Sequence, residues 1–106
     1  MEAALKAIAE ARRRTILSLV RDDELSAGEI AAHFDVTRPA ISQHLTVLKE
    51  AGLVTERRNG TRRLYHARPE GLAELKSFLD GFWDDRLDAL KREAERKERS
   101  RRGRDK

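Results

Sequence analysis

Residues 26–68 confine this chain to very few folds. Ser26-Ala27-Gly28-Glu29 is a capping box: the Ser26 hydroxyl can accept from the amide of Glu29, and the Glu29 side chain can return to the amide of Ser26. A short helix from Ala27 to about Phe34 follows, facing inward through Ile30, Ala31 and Phe34. After a turn at Asp35-Val36, Thr37 caps a second helix, with Pro39 in its first turn where a missing N–H costs nothing. Ile41, Leu45 and Leu48 fall at i, i+4 and i+7 and form its buried stripe. Gly52 suits a left-handed C-cap, with Leu53 folding back as its hydrophobic partner. Asn59-Gly60 then separates two strand-like runs, Leu53 to Arg58 and Thr61 to Arg68. Asn-Gly is the strongest short signal for a two-residue type I′ hairpin. That register pairs Arg58 with Thr61, Arg57 with Arg62 and Thr55 with Leu64. Two helices and a hairpin in this order predict a winged helix-turn-helix.

The flanks complete the reading. Residues 3–20 hold two apolar clusters at helical spacing, separated by Arg12 to Arg14. They form either two helices with a break near Ala11 or one continuous helix. Pro69 starts a last helix in which Leu72, Leu75, Leu79, Phe82, Trp83, Leu87 and Leu90 recur on one side. The fold class expected is mainly α with a small β-hairpin, in the order α-α-α-α-β-β-α. One domain is expected over residues 1–98, followed by a charged, disordered tail over 99–106.

Charge distribution points to a partner. The net charge of +4 is uneven: +4 over residues 56–68, −4 over 69–90 and +5 over 91–106. The first concentration lies on the hairpin, beside the second helix of the motif. A probe helix flanked by a cationic wing suits a DNA groove and its bordering phosphates. On the helical wheel Pro39, Gln43 and Thr46 point away from the buried stripe, with Ser42 at its flank. Gln43 is placed to donate and accept at the edge of an adenine. Thr37, Arg38, Ser42 and Thr46 suit phosphate or short-reach base contacts. Arg57, Arg58, Asn59, Gly60, Arg62 and Arg63 form the wing tip, where Arg57 opposite Arg62 is a repulsion that a polyanion would relieve. His44 sits at the edge of the buried stripe and reads as a packing residue with one ring nitrogen hydrogen-bonded.

Other function classes find little support. With no cysteine among 106 residues, disulfides and thiolate metal sites are impossible. No apolar run approaches the ~20 residues needed to span a bilayer, and Met1-Glu2 does not begin a signal pattern, so a cytoplasmic protein is expected. No Ser-His-acid order or Gly-rich phosphate loop suggests an enzyme, and no cofactor is implied. The aromatics Phe78, Phe82 and Trp83 read first as a dimer interface, next as core, and least as a pocket wall. The predicted interface residues are Leu5, Ile8, Leu75, Phe78, Leu79, Phe82, Trp83 and Leu87. The competing reading is a protein-interaction module that keeps the winged-helix scaffold without a DNA role.

Several stretches resemble the ArsR-type (ArsR/SmtB) winged-helix transcriptional regulators. They are Ala9-Glu10-Ala11-Arg12-Arg13-Arg14-Thr15-Ile16-Leu17, Ser26-Ala27-Gly28-Glu29-Ile30-Ala31, Ala40-Ile41-Ser42-Gln43-His44-Leu45 with Leu48-Lys49-Glu50-Ala51-Gly52-Leu53-Val54, the hairpin Arg57 to Tyr65, and Phe82-Trp83-Asp84-Asp85-Arg86-Leu87. The similarity runs from Leu5 to about Leu90. It implies a homodimeric bacterial repressor on operator DNA, with the first and last helices building the dimer. The chain departs from the metal-sensing branch. Ser26 and Gly28 stand where the arsenic and cadmium sensors carry Cys-x-Cys, and the last helix has no histidine, so no metal sensing is expected. Glu10-Ala11 replaces the family's usual Asp-Pro.

Overall fold

The break expected near Ala11 falls one residue earlier, and Glu10 makes it. In the computed structural model, which describes residues 1–104, α1 spans Glu2–Ile8 and α2 spans Ala11–Val20. Glu10 has extended backbone and its carboxylate accepts from the amide of Arg13 at 3.1 Å, so it caps α2 as an Asp would. Arg13 then reaches back, donating to the carbonyls of Ala7 at 2.6 Å and Lys6 at 3.1 Å, and so satisfies the open end of α1. Two helices, not one, result.

A two-residue strand, β1 (Leu25–Ser26), precedes α3 (Ala27–Ala31), which carries the expected capping box. Helix α3 ends short of Phe34, and single turns to Phe34 carry the chain onward. Helix α4 (Arg38–Glu50) starts at the Thr37 cap, whose hydroxyl accepts from Ala40 at 3.3 Å. Its end has the predicted Schellman form: Leu53 N–H donates to Leu48, Gly52 N–H donates to Lys49, both at 3.0 Å, and Gly52 has φ +77°. Strands β2 (Val54–Asn59) and β3 (Arg62–Ala67) follow, then α5 (Pro69–Arg104).

The sheet differs from the sequence reading in two ways. It has three antiparallel strands in the order β1-β3-β2, because Leu25 and Ser26 pair with Tyr65 and Leu64. A two-residue strand has no periodicity to read, so its existence depends on the partner that covers it. The hairpin register is also shifted by two: Arg57 faces Leu64, Arg58 faces Arg63 and Asn59 faces Arg62. The turn residues are therefore Gly60 and Thr61, and only Gly60 has positive φ, +67°. This pattern belongs to a type II′ turn, which asks one glycine for left-handed backbone, where type I′ would ask Asn59 for it too. The observed register also sets Val54 opposite Ala67, and both are buried at the base of the hairpin.

The core gathers Ile16 and Val20 of α2, Ile30 of α3, Ile41, Leu45 and Leu48 of α4, and Leu53, all essentially inaccessible. The chain divides into two compact units, Met1–Leu75 and the remainder from Lys76, with the boundary inside α5. In the second unit every residue from Lys76 to Ser100 is exposed. Helix α5 continues to Arg104, past Arg99 where the sequence suggested that order ends. Arg, Glu and Lys are good helix formers and no Pro interrupts them, and Glu93–Lys97 adds an i,i+4 ion pair. The last two residues of the expected disordered tail, 105 and 106, lie outside the described residues.

Candidate nucleic-acid interface

Helix α4 has one side in the core and the other in solvent. With Ile41, Leu45 and Leu48 buried, the 3.6-residue period leaves Arg38, Pro39, Ser42, Gln43 and Thr46 exposed, as the sequence predicted. Thr37 is exposed as well, although its hydroxyl oxygen is occupied by the cap. The Thr46 hydroxyl donates to the Ser42 carbonyl at 3.0 Å, which spends its proton inside the helix and leaves a methyl group and lone pairs facing outward. Val47 was not singled out from sequence, yet it is exposed beside Gln43 and shares a shallow surface depression with Ser42, Gln43 and Thr46. His44 is half-buried as expected. Its Nδ1 lies 3.4 Å from the Arg13 guanidinium and 4.0 Å from the Glu10 carboxylate, which ties the α1–α2 junction to α4.

The wing residues Arg57, Arg58, Asn59, Gly60, Arg62 and Arg63 are all exposed. Alternation along antiparallel strands divides them. Arg58 and Arg63 share a face with Glu56 and Tyr65, whereas Arg57, Asn59 and Arg62 share the other with Leu64. A register shift of two preserves these faces, where a shift of one would have exchanged them. Three of the four arginines meet a carboxylate. Arg57 Nε lies 2.5 Å from Glu24, Arg62 pairs with Glu29, and Arg63 Nε lies 3.5 Å from Glu56. Among the described residues Arg58 has no ion-pair partner. The like-charge pair placed by sequence at Arg57 and Arg62 is in fact Arg58 and Arg63.

Glu56 is the connecting residue that sequence reasoning missed. Its side chain is only 17% exposed, and it accepts from Lys49 of α4 at 2.9 Å while lying beside Arg63 of β3. It thereby fastens the wing to the exposed helix. Its charge also bears on Tyr65, whose phenol is pushed above the usual tyrosine range, first by burial and then by Glu56. The only sequence signal for this bridge is the opposite charge of two residues seven apart on different elements, which many other pairs share.

Between α4 and the wing runs a cleft of about 400 Å³, lined by Arg38 and Ser42 on one side and Thr61, Arg62, Arg63 and Tyr65 on the other, with Ser26 and Ala27 at its end. Three guanidinium groups, two serine hydroxyls and a phenol around one cleft suit phosphate oxygens. No cluster of His, Asp and Glu with the makings of a metal site occurs among the described residues, and no described helix is long and apolar enough to cross a membrane.

The description "bacterial regulatory protein, arsR family" fits residues 10–56, from the cap of α2 through the middle of β2. The HTH-type transcriptional regulator Rv2034 of Mycobacterium tuberculosis is 49% identical over 80 residues, covering 76% of this chain and 75% of that protein. The chain belongs to the ArsR family of transcriptional regulators. The transcriptional repressor SdpR of Bacillus subtilis is 42% identical over 82 residues, 77% of this chain and 91% of its own. Among solved structures, a possible transcriptional regulator for arsenical resistance superposes with a TM-score of 0.75 at 48% identity, over 83% of this chain and 92% of that one. The homodimeric winged helix-turn-helix domain of Mb0332 from Mycobacterium bovis does so with 0.64 at 34% identity, over 81% and 80%. The family assignment makes α3 and α4 the helix-turn-helix and β2–β3 the wing.

The residues expected at a dimer interface are distributed unequally. Leu5 and Ile8 of α1 are half-buried against the core. Leu75 is only 6% exposed within the single chain, where it packs in the core. In the second unit Phe78, Leu79, Phe82, Trp83 and Leu87 are exposed, Trp83 at 61%.

Proposed function

We propose that this ArsR-family protein is a homodimeric transcriptional repressor that binds an inverted-repeat operator in double-stranded DNA. Helix α4 enters a major groove and reads bases through Gln43, with Ser42 and Thr46 beside it. Thr37, Arg38 and Pro39 approach at the helix start, and the wing from Arg57 through Asn59, Gly60, Arg62 and Arg63 holds the adjacent backbone. The observation that carries this reading is the cleft in which Arg38, Arg62 and Arg63 surround Ser42 beside an exposed, nearly neutral helix face. Phosphates supply affinity there and base edges supply choice.

The dimer is supported by Phe78, Phe82 and Trp83, whose exposed ring surface a contact would remove from water, and by the homodimeric state of the Mb0332 domain. Two-fold symmetry places half-sites about one helical turn apart, roughly 10 base pairs. No metal, cofactor or catalytic step enters this role, and the protein works in the cytoplasm where its operator lies.

A mobility-shift titration with the protein's own promoter and a random duplex tests the proposal. A shifted complex should form on both at low salt, with the promoter complex alone surviving as salt rises. The absence of any complex with either duplex would leave a protein-interaction module as the better account.

A further inference from the structure

Arg62 was expected to wait for a phosphate, but a carboxylate already holds it. Its guanidinium pairs with Glu29 Oε1, the oxygen that also accepts from the Ser26 amide at 3.0 Å. Ser26 returns the contact through its hydroxyl, which accepts from the Glu29 amide at 3.2 Å. The capping box therefore fixes the position of the Glu29 carboxylate whether or not Arg62 is present. Hydrogen bonding to Ser26, from its amide first, holds this carboxyl below the usual range more than the charge of Arg62 does, so it stays charged after the arginine leaves. Arg62, by contrast, sits on a flexible stem, is more than half exposed, and lines the cleft with Arg38, Ser42 and Arg63.

We propose that Glu29 competes with DNA phosphate for Arg62, and so lowers the sequence-independent part of DNA affinity. Arg62 makes its phosphate contact by exchanging one anion for another. The exchange leaves a fixed carboxylate that takes up a cation from solution, which offsets part of the counterion release that drives binding. The inference rests on the DNA-binding reading above and adds to it a residue outside the groove-facing surface.

Glu29→Gln is a clean probe, because glutamine serves as well as glutamate in a capping box. Its melting temperature should fall by no more than about 5 °C, the loss of one exposed ion pair. Its affinity for a random duplex at low salt should rise about two- to five-fold, the range an exposed ion pair corresponds to. The slope of log K against log salt should steepen by up to ~0.9. Removing any negative charge near DNA helps binding somewhat, so the same change is made in an Arg62→Ala background, where the gain should vanish. A gain of equal size with Arg62→Ala would show that Glu29 acts only through its bulk charge and would overturn the proposal. So would unchanged or weakened binding by Glu29→Gln alone. Failure of the wild type to bind any duplex is a different result and removes the DNA reading itself.

Discussion

Two glycines on α5 should respond to the same substitution with opposite signs. A Cβ added at Gly71 would lie 1.9 Å from the Gly52 carbonyl oxygen and 3.0 Å from its carbon. Carbon–oxygen contacts normally begin near ~3.3 Å, so α5 must retreat from the end of α4 by roughly 1.4 Å. Both partners are backbone, and Gly52 is held by the Schellman bonds, so no side chain can swing aside. Overpacking of this kind costs about 1–3 kcal/mol or more, against a helix-propensity gain of about 1 kcal/mol for alanine. A backbone clash this close belongs at the upper end of that cost, so Gly71→Ala should destabilise by roughly 2 kcal/mol or more. Gly81 has nothing within 4 Å of the corresponding Cβ. On the helical wheel it lies opposite the Leu79–Phe82–Trp83 stripe, so Gly81→Ala should show only the propensity term, a gain of about 0.5–1 kcal/mol. Urea denaturation followed by circular dichroism reads both variants as shifts in midpoint at unchanged slope. A neutral or stabilised Gly71→Ala would refute the close approach of α5 to the α4 cap.

Gln43→Ala should relax base preference while sparing random-sequence affinity, and a mobility shift showing equal loss on selected and random duplexes would count against base reading by this residue. Arg58→Ala removes the one wing arginine without a carboxylate among the described residues, so it should weaken all sequences alike and reduce the salt slope by ~0.9. Trp83→Ala should weaken self-association about thirty-fold or more, measured by sedimentation equilibrium, as expected for a central aromatic anchor. Glu24 is held below the ordinary carboxylate range mainly by its hydrogen bond from Arg57. Its contribution to stability is thus complete above the unfolded carboxylate value and is lost as pH falls through the folded one. Denaturation midpoints from pH 7 to pH 3 should fall more steeply for the wild type than for Glu24→Gln, with the two converging in acid.

What could be read from the chain alone is what short-range chemistry decides. Ser26 with Glu29, Thr37 with Pro39, and Gly52 with Leu53 marked helix ends because each cap joins groups only a few residues apart. The stripe Ile41, Leu45 and Leu48 placed Gln43 and Ser42 in solvent because helical period alone decides which side of α4 is free. The motif and its family followed from these. Tertiary structure decided whatever depends on groups distant in sequence. Strand β1 exists because β3 pairs with it, and the hairpin shifted by two residues because Val54 and Ala67 could then close the core. Leu75 entered that core although it shares a stripe with the exposed Trp83. Gly71 is required by a carbonyl nineteen residues before it. The pairs Arg57–Glu24 and Arg62–Glu29 each join residues 33 apart, so charge in the sequence showed a cationic wing, and only folding showed which of its arginines already hold an anion.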